Sequence, residues 1–147
     1  MKQLVLITIF FYSCTLHKKE QENTKFDIHL IKGSWQYCNR YHEYNLIEFT
    51  DSTYNSYIEQ EEYIGPTTQL KYTIVGDSLF LGSDKTWSYN RWLIYKLAPT
   101  TMRLIHNFDT LICQKINIEL PLHKYTYAKE EEYANQFSAL KKKFDCK

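Results

Sequence analysis

The side chains best able to do chemistry are scattered along this chain. Its five histidines stand at 17, 29, 42, 106 and 123, and no pair has the spacing of a metal site. His42-Glu43 begins like H-E-x-x-H, where two histidines one helical turn apart share a zinc, but Leu46 fills the second histidine's place. Glu59, Glu61 and Glu62 cluster beside Tyr57 and Tyr63. Cleaving a glycosidic bond needs two carboxylates facing each other across a cleft. A run that alternates around one loop gives a solvated edge instead, and charge on an edge discourages strand pairing. No G-x-S-x-G nucleophile elbow and no glycine-rich phosphate loop is present. The pattern argues against catalysis and calls for no cofactor or metal.

The cysteines are Cys14, Cys38, Cys113 and Cys146. None forms a C-x-x-C pair, which removes support for a zinc site. Cys14 stands apart from the others. It follows Lys2, the apolar run Leu4–Tyr12 and Ser13, and precedes the polar tract TLHKKEQENTK. A membrane-crossing helix needs ~20 apolar residues, so the run is too short to span and stay. It has the make-up of a secretory signal, residues 1–13, to be set aside from the fold. The sequence FYSC resembles the lipobox of bacterial lipoproteins, departing from it at Phe11 and Tyr12. That resemblance implies export, cleavage before Cys14, and a lipid on the Cys14 thiol. The expected location is then the outer membrane or another membrane of the cell envelope. The expected membrane contact is the covalent lipid, since two or three acyl chains hold a protein stably where one does not. Residues 14–29 read as the lipidated N-terminus and a tether, with many charges and no periodicity.

Lys2 is the only one of the 18 Lys and Arg residues that precedes Cys14, so the mature chain balances its 17 Asp and Glu and is formally neutral. No basic stripe appears, which argues against nucleic acid as a partner. The 13 Tyr, 8 Phe and 3 Trp favour strands. From Gly33 the apolar period is two, with turn signals every eight to twelve residues, the pattern of an antiparallel sandwich or barrel. Eight strands are expected: 33–40, 45–50, 53–60, 70–75, 78–81, 86–97, 102–107 and 110–116. Gly76-Asp77 marks a tight hairpin, and Gly65-Pro66 a wider loop. After Pro121 the period changes. Tyr133, Phe137, Leu140 and Phe144 form one helical stripe, with Glu130–Glu132 near the start and Lys141–Lys143 near the end. A helix is expected over 128–144, docked by that stripe on the barrel wall.

Gly33-Ser34-Trp35, then Ile47-Glu48-Phe49, Tyr72–Leu79, Tyr95-Lys96-Leu97 and a final Ile112-Cys113-Gln114-Lys115 follow in an order that resembles the small lipocalin-like lipoproteins of Bacteroidetes-type bacteria. The resemblance covers about residues 30–116. It implies an eight-stranded antiparallel up-and-down barrel, here residues 30–120, followed by the helical extension 121–147. It also implies that Gly33 and Trp35 plug one barrel end. Lipocalins usually stack an arginine on that indole. Here Lys115 is the nearest basic residue, with Arg40 and Arg91 as the alternatives.

That fold hosts carriers, inhibitors and a few enzymes, so it fixes no function. The expected inner face is Trp35, Tyr37, Ile47, Phe49, Tyr72, Ile74 and either Trp87–Tyr89 or Trp92–Ile94. Such large side chains predict a mostly filled barrel with a shallow mouth. The resemblance leads to a non-catalytic binder of a small apolar ligand, or to a module that engages an envelope protein. Tyr41, Tyr44, Tyr57 and Tyr63 are the expected contact residues, gathered on the rim. Closure of the barrel puts the first strand beside the last, which predicts a Cys38–Cys113 disulfide if both side chains point outward. The parity of the last strand is ambiguous in the sequence.

Overall fold

The structure is a computed structural model that describes residues 26–60, 63–67, 69–82 and 91–146. Among the described residues, nine strands form one antiparallel sheet: β1 Gly33–Cys38, β2 Tyr44–Phe49, β3 Thr53–Gln60, β4 Tyr63–Pro66, β5 Leu70–Val75, β6 Ser78–Leu81, β7 Arg91–Leu97, β8 Thr101–His106 and β9 Asp109–Ile116. β1 pairs with β9 as well as β2, which closes the sheet on itself. β4 and β5 lie on the same side of β3. β4 pairs with its end, Tyr57–Gln60, and β5 with its start, Thr53–Tyr54. They are therefore one barrel strand, the fourth, broken between Pro66 and Leu70. Counted this way the barrel has eight strands, running up and down as the sequence implies.

Strand alternation assigns the faces. Trp35 pairs with Ile47, Ile74 with Leu79, Leu79 with Trp92, and Met102 with Cys113. These residues share the interior. Trp35, Tyr37, Ile47, Phe49, Leu79, Ile94, Met102, Leu104 and Cys113 are buried there, with Tyr72, Ile74 and Trp92 packed against them. The expected inner face is borne out where it falls on described residues, Trp92 and Ile94 included; Trp87–Tyr89 lie outside them.

One end of the barrel is plugged. Asp27 caps a 3-10 turn over Ile28–Ile31, and Ile31 is fully buried. The Trp35 indole N–H donates to the Ile31 carbonyl at 2.7 Å. The ammonium of Lys115 lies 5.0 Å from the Trp35 ring centroid and donates to the Leu30 carbonyl at 2.9 Å. Lys115 thus takes the place expected of an arginine. Phe26, within the expected tether 14–29, packs against the core.

The C-terminal helix α1, Glu130–Phe144, docks on the outside of β2 and β3. Tyr44, Leu46 and Tyr57 project outward and bury against Leu122, Tyr133 and Phe137, forming a second core. Phe137 meets Tyr57 at 4.9 Å and Tyr44 at 5.0 Å between ring centroids. The Gln136 amide bonds the backbone of Glu119 and Leu120, which fixes the approach to the helix.

The disulfide differs from expectation. Cys38 bonds Cys146, with Cα atoms 5.6 Å apart. Cys113 is buried as a free thiol. Register gives the reason. Gln36 faces Gln114, so Cys113 falls level with Tyr37 and shares its inward face, while Cys38 points outward. A Cys38–Cys113 bridge would have to cross the sheet. Asp145, in the left-handed region at φ 38°, turns the chain after α1 and delivers Cys146 to Cys38.

Candidate functional site

The plugged end leaves chemistry to the opposite end, where the β1–β2 loop, the β8–β9 hairpin and the ends of β3 and β4 meet. Inside this mouth are two cavities that share Tyr37 and Asn39. One, about 460 Å³, reaches toward Trp92, Leu111, Asp109, Arg40 and Phe108. The other, about 480 Å³, reaches toward Asn45, Tyr54, Ile58 and Leu70. Together they form a cup in which aromatic and aliphatic side chains alternate with amides, the hydroxyls of Ser56, Thr67 and Thr110, and the charged Glu59, Arg40 and Asp109. Toward the plug, Trp35, Ile47, Phe49, Leu79 and Met102 pack the interior.

The lip is built by local sequence. Asn39 uses its side-chain oxygen to accept from the N–H groups of Tyr41 and Glu43, at 2.9 and 3.0 Å, which holds the β1–β2 loop as an asparagine turn. His42 sits there at φ 63°. Arg40 pairs with Asp109 at 3.3 Å, joining that loop to β9, and donates to the Tyr41 hydroxyl at 2.7 Å. Across the mouth, the His106 ring bonds the Arg91 carbonyl at 2.8 Å and packs on Trp92. Phe108, at the hairpin tip, is fully exposed, and Tyr41 is 65% exposed. Burial raises the Tyr37 hydroxyl pKa well above its ordinary value, and that of Tyr54 to about 12. Both phenols therefore stay neutral and serve as hydrogen-bonding groups.

The expected contact tyrosines do not gather on this rim. Tyr41 is there. Tyr44 and Tyr57 are buried under α1, because alternation sends them out of the barrel, where the helix covers them. Tyr63 pairs in β4 opposite Gln60, with its side chain outside the described residues. Cys14, Glu61, Glu62, Trp87 and Tyr89 also lie outside them. Gly33 and Trp35 are at the plugged end.

Sequence reasoning did not bring together Glu48 and His123. Glu48 faces outward from β2 and is buried; it accepts from the His123 backbone N–H at 2.7 Å and lies 3.0 Å from Nδ1 of the ring. The pair pins the 3-10 turn Leu122–Lys124 to the wall. No hydroxyl or thiol nucleophile among the described residues hydrogen-bonds that imidazole. The available signal is the charged Glu48 in the strand YNLIEF, which is apolar but for Asn45 and Glu48 and is buried along its whole length. Only a strand covered on both faces has that pattern.

No protein-family model and no curated protein matches the chain. Among solved structures, a lipocalin-like protein from Bacteroides uniformis is similar at 18% identity. The match covers 59% of this chain and 99% of that one, with a TM-score of 0.42. A likeness of that size does not indicate what this chain does.

Proposed function

We propose that this protein is an exported, lipid-anchored binding protein that holds one small, largely apolar molecule in the mouth of its barrel and catalyses nothing. The observation that carries the reading is the cup above Tyr37. It sets aromatic and aliphatic side chains beside convergent amides and hydroxyls under a hydrogen-bonded lip, a concave site of the size that small molecules occupy. The exposed rings of Tyr41 and Phe108 at its lip offer an apolar approach. The anchor rests on Cys14 behind the run Leu4–Tyr12.

Non-denaturing mass spectrometry of the purified protein tests the binding. A small molecule retained at one per chain and released on unfolding supports it. Bare protein from every preparation counts against it. Incorporation of labelled palmitate into the wild type but not into Cys14→Ala tests the anchor.

A second reading, a module that engages an envelope protein, is favoured by the complete exposure of Phe108. A large ring held fully in water at a hairpin tip is the kind of anchor that interfaces use. Phe108→Ala would then abolish partner capture while leaving small-molecule retention intact.

A further inference from the structure

Where the fourth strand breaks, the outer wall carries a cleft of its own. It lies between β3, the residues Pro66, Thr67 and Gln69, and Leu122, His123 and Tyr125 of the extension, and measures about 160 Å³. Small-molecule sites usually run to ~300–1,000 Å³, so this one takes a single ring at most. It shares Ser56 and Thr67 with the mouth and adds residues of its own. Asn55, although buried, accepts a hydrogen bond from Gln69 at 2.9 Å, and Ser56 and Thr67 bond hydroxyl to hydroxyl. Tyr57 and Tyr125 add two aromatic rings with hydroxyls to the lining, 6.4 Å apart between centroids. His123 lines it too; the buried Glu48 carboxylate engages that ring at Nδ1, leaving Nε2 as its second polar atom.

We infer that this cleft binds one pyranose-sized sugar unit. The chemistry narrows the ligand by elimination. Among the described residues no Lys or Arg lines the cleft, so no lysine or arginine charge meets an anion there. The amides and hydroxyls bond one another in pairs, but each keeps donor or acceptor capacity that a wholly apolar ligand would leave unused. Amides and hydroxyls each donate and accept, and so match neighbouring sugar hydroxyls. A tyrosine ring suits the flat C–H face of the same molecule. The amide pair and the imidazole line the cleft and not the mouth, while Ser56 and Thr67 line both, so Gln69→Ala and Trp92→Ala are the variants that separate this site from the ligand proposed there.

Saturation-transfer NMR on the full chain tests it, with free D-glucose, D-galactose, D-mannose and N-acetyl-D-glucosamine as probes. Transfer to the ring protons of at least one sugar is expected. Gln69→Ala, at an exposed position, should weaken that sugar's binding roughly fivefold, the scale of one lost hydrogen bond. Thr67→Val should weaken it in the same direction. Trp92→Ala, in the mouth, should leave it unchanged, and near-ultraviolet circular dichroism should show all three variants folded. No transfer to any of the four sugars overturns the inference. So does transfer that survives Gln69→Ala and Thr67→Val, or that disappears in Trp92→Ala.

Discussion

Lys115 does at the barrel floor what a guanidinium is expected to do, by different means. Its ammonium sits over the indole and reaches a backbone carbonyl, so it staples the N-terminal turn to the plug. Gly33 makes room for that stem. It lies at φ 109°, and a Cβ there would stand 3.0 Å from Lys115 Cε. Gly33→Ala should therefore cost about 1–3 kcal/mol through backbone strain, read as a lower thermal midpoint. Trp35→Ala should cost ~3–5 kcal/mol, since it empties the plug. An unchanged midpoint in either variant contradicts the plug. Cys113 shows the other side of burial: the interior raises its thiol pKa to about 12. At about pH 8 it should resist iodoacetamide until the protein unfolds, because the thiolate is the nucleophile. Ready alkylation of native protein would contradict its placement.

The buried tyrosines set the alkaline limit. Burial raises the pKa of Tyr37, Tyr44, Tyr54 and Tyr72 above the ordinary 10.0. Below that value both folded and unfolded chains keep the phenolic proton, and stability does not depend on it. Above it the unfolded chain sheds protons that the folded chain retains, so stability falls as pH rises. The loss should begin near pH 10 and deepen toward 12, the value reached by Tyr54. Ultraviolet titration should show exposed phenols ionising first and a buried group ionising only as the fold opens. A single transition with all tyrosines ionising near 10 would contradict this.

At the scale of elements, the period-two strands were legible because each carries its own alternation and turn chemistry. Leu70–Val75, Gly76-Asp77 and Ser78–Leu81 form the expected hairpin. α1 starts at Glu130, close to the expected boundary, because the Tyr133–Phe137–Phe144 stripe is a local signal. What failed was not local. Gly65-Pro66 signals a wider loop, yet Pro66 sits at the end of a short strand whose partner, β3, supplies the ladder. The disulfide differs from expectation because one residue of register decides which face a strand's side chains take. Tyr44 and Tyr57 lie away from the expected rim because the sequence does not say which strands α1 covers. The linkage of Cys38 to Cys146 ties that helix to β1 across a sequence separation of 108. Cys146→Ser should lower stability by ~2–5 kcal/mol. Phe137→Ala should cost ~3–5 kcal/mol by emptying the second core. An unreduced peptide map should join the peptides carrying Cys38 and Cys146; a Cys38–Cys113 link would contradict the register.

For the whole molecule, the arrangement separates duties. One barrel end is closed by the chain's own N-terminal turn, one wall is covered by α1, and the other end keeps the cup. Closure of the sheet removes its edges and leaves the mouth as the interior's opening. The account therefore stands on occupancy of that mouth. Titration with anilinonaphthalene sulfonate, followed by its fluorescence, tests this directly in the wild type and in Leu111→Trp. Leu111 lines the cup, so the larger ring fills the space a ligand would take. The account predicts saturable one-site binding in the wild type and an affinity at least about tenfold weaker in the variant, a difference of ~1.4 kcal/mol. Equal affinity in both proteins, with both folded, would contradict it.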